Sequence, residues 1–160
     1  MENIVTQLNK NRSEETTQKI YSLGYESLSI DKFFELILNE NINTIVDVRN
    51  VAFSYKYEFS KHFLKKRCHE IGIEYFHFPE VGIPSKISKN INNKKTLWEI
   101  YEKSILPNAD KTIEVIGYIC LNTSSVLLCY EKDPKDCHRN ILAREISLRT
   151  GLLIQHFLNI

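Results

Sequence analysis

Apolar and polar positions follow two different periods along this chain. Short apolar runs of strand length recur at 19–23, 44–49, 73–78, 126–131 and 152–158. Between them, apolar residues return every three or four positions, the spacing of one helix face. Ile30, Phe33, Phe34, Ile37 and Leu38 make one such stripe, and Ile113, Val115, Ile116 and Ile119 make another. Ile141, Leu142, Ile146 and Leu148 make a third, which Gly151 ends. A helix over 60–70 and one over 96–106, carrying Trp98 and Tyr101, complete the set.

The punctuation agrees with these periods. Gly24 closes the first strand, and Ser29 is placed to cap the helix that follows. An Asn-rich turn ends that helix near Asn43. Ser60 is placed as a second cap, and Gly72 ends its helix. Pro79 and Pro84 stop the third strand, and the Lys-, Ser- and Asn-rich stretch 85–95 reads as a mobile insert. Strands separated by helices predict an α/β domain, three-layered and Rossmann-like, with a mainly parallel sheet of about five strands. Residues 1–17 are polar and read as a flexible tail, leaving 18–160 as a single domain.

Composition changes this picture little. At 160 residues with a formal net charge of +1, the chain is neither strongly basic nor strongly acidic. No apolar run approaches the length that spans a bilayer, and the polar N-terminus lacks a signal-peptide core, so a cytoplasmic protein is expected. The four cysteines, Cys68, Cys120, Cys129 and Cys137, form no C-x-x-C pair. Neither a metal nor another cofactor is therefore expected, although Cys129, Cys137 and His138 are ligand types that zinc takes. Cys120 and Cys129 lie in apolar segments and read as buried reduced thiols.

Chemistry concentrates in two places. The fourth strand runs into Glu131, a polar loop with Asp133, Pro134 and Asp136, and then Cys137-His138-Arg139 at the start of a helix. A thiol at a helix N-terminus beside two cationic side chains is set up for reactivity, provided that it is accessible. His138 can also serve as a general acid or base. The bland reading stands beside these: Cys137 packs the turn, and Arg139 pairs with Asp133 or Asp136. A phosphatase-like loop is excluded, because Arg144 is one position too far for Cys-x5-Arg and the loop has no glycine.

The second place is the end of the second strand. Asp47 and Arg49, two apart, share a strand face. Taken alone they read as an ion pair that fixes the strand end. In an open α/β sheet the ends of the second and fourth strands meet at one edge, so Asp47, Arg49, Glu131, His138 and Arg139 are expected to line one pocket. Glu26, Tyr25 and Ser54 are candidates to join them. His77 and His156 read as satisfied structural histidines, and His62 and His69 as surface residues.

Five ordered motifs resemble a bacterial family catalogued as "domain of unknown function 488". They are Leu23-Gly24-Tyr25-Glu26-Ser27, Val46-Asp47-Val48-Arg49, Phe59-Ser60-Lys61, the pair Gly72-Ile73-Glu74-Tyr75 and Pro79-Glu80-Val81-Gly82, and Leu128-Cys129-Tyr130-Glu131 with Cys137-His138-Arg139. The similarity runs from about residue 19 to 157; Ser27 stands where glycine is usual, and Ala52 near a usual proline. The resemblance implies no established activity.

The residues themselves point to an enzyme acting on a phosphate-bearing or nucleotide-like substrate. Arg49 and Arg139 would bind the anion, with Glu26, Ser54 and Tyr25 beside them. Asp47, Glu131 and His138 would transfer protons, and Cys137 would be the nucleophile. The alternatives are a non-catalytic nucleic-acid-binding module and a small-anion sensor. For the module, Lys56, Lys61, Lys65, Lys66, Arg67, Lys86, Lys89, Lys94 and Lys95 supply charge, and Phe53, Tyr55 and Tyr57 supply stacking faces. The near-zero net charge argues against strong non-specific binding. No membrane partner is expected.

Overall fold

The computed structural model describes residues 18–158, so the expected tail at 1–17 lies outside the described residues. Five strands, β1 (Lys19–Gly24), β2 (Thr44–Asp47), β3 (Glu74–His77), β4 (Ser125–Cys129) and β5 (Leu153–His156), form one sheet in the order β3-β2-β4-β1-β5. Every neighbouring pair is parallel. The sheet is thus the expected parallel one.

Side-chain alternation along the strands builds two cores, one on each face. Val126 and Leu128 of β4 face one way and join Leu23 and Ile45. Phe33, Phe34 and Ile37 of α1 (Ile30–Asn39) and Leu64 and Cys68 of α2 (Lys61–Glu70) cover them. Leu127 and Cys129 face the other way and join Ile20 and Val46. Here the cover comes from Ile113 and Ile116 of α5 (Asp110–Asn122) and Leu142 and Ile146 of α6 (His138–Thr150). Helix, sheet, helix is the three-layer arrangement that the strand–helix alternation predicts.

Ser29 caps α1 as expected, its side chain accepting from the Lys32 amide. Ser60 precedes α2 but does not cap it through its side chain. Its hydroxyl accepts from the Ser54 amide and donates to the Ser54 carbonyl, closing the loop before the helix. The reading of 85–95 as a mobile insert is corrected: α3 (Ser85–Asn90) is helical, and α4 (Lys94–Ile100) starts two residues before the expected boundary, capped by Asn93. From α4 the chain continues through a π-helical stretch, Tyr101–Ile105, and a last turn, Leu106–Asn108. No helix among the described residues is long and apolar enough to cross a membrane.

Candidate functional site

Because β4 lies between β1 and β2, the carboxyl ends of those three strands open onto one edge. Two glycines let the connecting loops close in. A Cβ on Gly24 would sit 1.7 Å from the Glu131 carbonyl oxygen, and one on Gly82 would sit 2.1 Å from the Asn50 amide nitrogen. Only a residue without a side chain fits at either place.

Cys129, at the end of β4, and Cys137, the N-cap of α6, meet across the loop that joins them. The Cys137 sulfur accepts from the Arg139 amide at 3.5 Å. His138 packs beside both, its Nδ1 3.9 Å from the Cys129 sulfur and 4.0 Å from the Cys137 sulfur. Its Nε2 is 2.9 Å from the Val48 carbonyl oxygen, a partner that can only accept, so Nε2 carries the hydrogen. Cys129 donates to the Glu131 carboxylate at 3.4 Å. One potential ligand atom each from Cys129, Cys137 and His138 lies within 4.8 Å of the others.

These groups perturb one another. Burial alone would raise the Cys137 thiol, but hydrogen bonds from Cys129 and His138, with the charges of His138 and Arg139, hold it well below its ordinary pKa. Cys129 is held protonated by that hydrogen bond and by burial. Burial pulls His138 down, and the Cys137 sulfur more than offsets it, so the imidazole is raised. Glu131 is pushed up to about 7, by burial first and then by the charge on Cys137.

Asp47 and Arg49 form a buried ion pair. Arg49 Nε donates to Asp47 Oδ1 at 2.8 Å, and Nη2 to Oδ2 at 2.5 Å. The Arg49 amide and the Tyr75 hydroxyl also donate to this carboxylate. Tyr25 accepts from Arg49 Nη1 at 3.0 Å. Asp47 is fully enclosed and does not line the cleft, contrary to expectation, and its pairing with Arg49 matches the strand-fixing reading. Arg49 does reach the cleft, and only three of the five N–H groups of its guanidinium are engaged there.

Arg139 departs furthest from expectation. It neither lines the pocket with Arg49 nor pairs with Asp133 or Asp136. Fully buried, its guanidinium donates to the Ser22 hydroxyl at 2.8 Å and to the carbonyls of Glu131 at 2.6 Å and Lys132 at 3.2 Å. It ties the Glu131 loop to β1. Cys137 is likewise 2% exposed, not in the accessible setting that a polar loop suggested.

The cleft beside the cluster has a volume of about 570 Å³. Cys129, Glu131 and His138 are on its wall, with Tyr25, Arg49 and Ser54. Phe53, Tyr55, Trp98 and Tyr130 give it aromatic faces. Glu26 lies instead in an adjoining cleft of about 910 Å³, where its carboxylate accepts from the Lys132 amide at 2.8 Å. That cleft is the larger and His156 lines it, but Cys129 and His138 do not; Lys94, Glu131 and Asp136 line both. Lys56 is engaged in the fold, donating to the carbonyls of Tyr25, Glu26 and Leu28. His77 is satisfied by the Arg49 carbonyl at 2.7 Å. His156 is not, since its Nδ1 is buried without a partner. Sequence reasoning missed Trp98 and Tyr130 as wall residues, and it placed Cys129 with Cys137 and His138 only as possible zinc ligands, reading it otherwise as a buried thiol. Cys129 ends the strand that feeds the loop, and that position was the available signal.

Among known proteins, no curated protein and no solved structure matches the chain. A family model described as "Domain of unknown function DUF488" matches residues 29–146. That span covers β2, β3, β4, the Asp47–Arg49 pair and the Cys129–Cys137–His138 cluster, and the chain belongs to this family.

Proposed function

We propose that the protein is an enzyme acting on a small nucleotide-like substrate held in the aromatic cleft, with Glu131 as the group that moves a proton there. One observation carries this reading: Cys129, Glu131 and His138 share a wall with Trp98, Tyr130 and Phe53 at the carboxyl edge of a parallel sheet. Aromatic faces suit a planar ring, since base–aromatic stacking contributes about 1–3 kcal/mol per base. An anionic group on the substrate would meet the two remaining Arg49 N–H groups and Lys94. The Lys94–Asp136 pair is exposed at 2.5 Å, and such surface pairs are weak enough to open. Glu131 takes the proton-transfer role that His138 was expected to share, because His138 points Nε2 at a carbonyl and Nδ1 at the two sulfurs.

The nucleic-acid-binding module is the second reading, favoured by one feature. Phe53 and Tyr55 on the cleft wall are 65% and 100% exposed, and Tyr57, just beyond them in the chain, is 62% exposed.

Titration with nucleosides, nucleoside monophosphates and short oligonucleotides, read by Trp98 fluorescence and calorimetry, separates the two. The enzymatic reading expects mononucleotide binding that weakens about tenfold in Trp98→Ala, as one lost stacking contact predicts. It also expects Glu131→Gln to bind but not turn over. Oligonucleotide binding that depends on Lys65 and Lys66 and ignores Trp98 would overturn it in favour of the module.

A further inference from the structure

We infer that Cys129, Cys137 and His138 are a zinc site with three protein ligands and one coordination position open to the cleft. Zinc bonds of about 2.3 Å to sulfur and 2.0–2.1 Å to nitrogen, at tetrahedral angles, separate S and N by about 3.5 Å. The His138 Nδ1 to sulfur distances are 3.9 and 4.0 Å, so both contacts need to shorten by only a few tenths of an ångström. Neither is a good hydrogen bond, yet all three ligand atoms lie within 4.8 Å of one another.

The imidazole gives an independent sign. With the hydrogen on Nε2 and directed at the Val48 carbonyl, the lone pair of the neutral ring is on Nδ1 and faces the sulfurs. That is the arrangement by which a metal-ligating histidine is oriented from its far nitrogen. The ring is also held in place against Tyr101, at a centroid distance of 5.3 Å.

An open position follows from where the ligands lie. Cys137 is on the core side, whereas Cys129 and His138 reach the cleft wall. Three protein ligands with a vacant fourth position is the pattern of catalytic rather than structural zinc. Glu131, in contact with the Cys129 sulfur and on the same wall, lies next to that position. This site replaces the expectation of no metal drawn from the absence of a C-x-x-C pair.

The site stands on geometry; its role rests on the enzymatic reading above. Zinc-bound water loses a proton to the Glu131 carboxylate, and the resulting hydroxide forms a C–O bond to an electrophilic carbon of the substrate. The C–N or C–O bond to the leaving group then breaks, and Glu131 returns the proton to the departing atom. One water is consumed, with no net change of oxidation state. The substrate class is thus hydrolysable, with an amine or alkoxide leaving group on a carbon near a planar ring.

The test uses the full chain stripped of metal and reloaded with Zn(II) or Co(II) alone. About one equivalent of zinc should bind per chain, and the cobalt form should show thiolate-to-cobalt charge transfer with tetrahedral d–d bands. Cys129→Ser, Cys137→Ser and His138→Gln should each weaken zinc binding by at least about 100-fold, more than the loss of an outer-shell partner causes. Glu131→Gln should bind zinc as tightly as the wild type. Circular dichroism checks that each variant folds, and the wild-type cobalt spectrum answers the question should a variant not fold. No stoichiometric zinc and no thiolate–cobalt band would overturn the site while leaving the enzymatic reading intact. Loss of metal in Glu131→Gln would make Glu131 a fourth ligand and overturn the open position. Metal bound as described, with no ligand bound in the cleft, would remove the enzymatic reading and leave the metal site standing.

Discussion

Removing the Arg139 side chain decides whether this guanidinium holds the fold or binds a substrate. It is fully buried and its hydrogen bonds go to one hydroxyl and two carbonyls. Arg139→Ala leaves the buried Ser22 hydroxyl and two loop carbonyls without a partner. A hydrogen bond to a charged group contributes about 1.5–3 kcal/mol. Relief of burying the charge offsets part of the three, and lost packing of the arginine stem adds to them. A net loss of roughly 3–5 kcal/mol follows. At about 2–4 °C per kcal/mol for a domain of this size, Tm should fall by about 6–20 °C. Arg139→Lys should recover little, because an ammonium cannot reproduce the planar fork. Arg149→Ala is the reference. Its side chain is a third exposed and pairs with Asp110 and Glu145, so its loss should cost under about 1 kcal/mol. Thermal unfolding followed by circular dichroism measures all three. An Arg139→Ala protein that melts with the wild type yet loses ligand binding would refute the argument and return Arg139 to the pocket.

Other outcomes follow from the same geometry. Asp47→Asn should destabilise by roughly 2–4 kcal/mol, since a buried Arg49 would lose its counter-charge; urea unfolding reads this directly. Gly24→Ala should lower stability by at least about 2 kcal/mol and displace the Glu131 loop, because its Cβ would overlap the Glu131 carbonyl; a crystal structure or amide exchange at 131–132 would detect the shift. Burial pushes the Cys68 and Cys120 thiols up to about 12, so they hold their protons where unfolded thiols, near 9, release theirs. The folded state then binds more protons above pH 9, and stability falls as pH rises from there towards 12. A Cys68→Ala/Cys120→Ala protein should show a flatter decline of Tm across that window; an equally steep one would contradict the assignment.

Much of the architecture was readable from periodicity, because burial on one or both faces fixes where apolar residues must recur. The two-faced β4 appears as an unbroken run, and α1 appears as a stripe behind a serine cap. The Ser85–Asn90 helix was not readable, since its lysines, serines and asparagines are as common in loops and it buries no residue. Ser60 has the right position for a cap, but the Ser54 backbone competes for its hydroxyl. In the site, the edge of the sheet was legible and the roles were not. An arginine in a sequence looks the same whether carboxylates or main-chain carbonyls receive its hydrogens. The Arg139 partners come from β1 and from the loop before its own helix, and only the folded chain brings them together. Cys129 and Cys137 meet for a similar reason: a strand end and a helix cap face each other across a loop whose path no residue type specifies.

The strand order also sets a schedule for synthesis. β1 pairs only with β4 and β5, so while the ribosome works through residues 25–124 the first strand has no sheet partner. During that interval β2 and β3 can pair with each other, but both hydrogen-bonding edges of β1 stay unpaired. Residues 125–129 then enter between β1 and β2, and one late segment joins two early ones. Parallel pairing over such separations is slow and leaves unpaired edges open to association. A nascent chain stalled before residue 125 should therefore engage chaperones, and release of the next few residues should let it go.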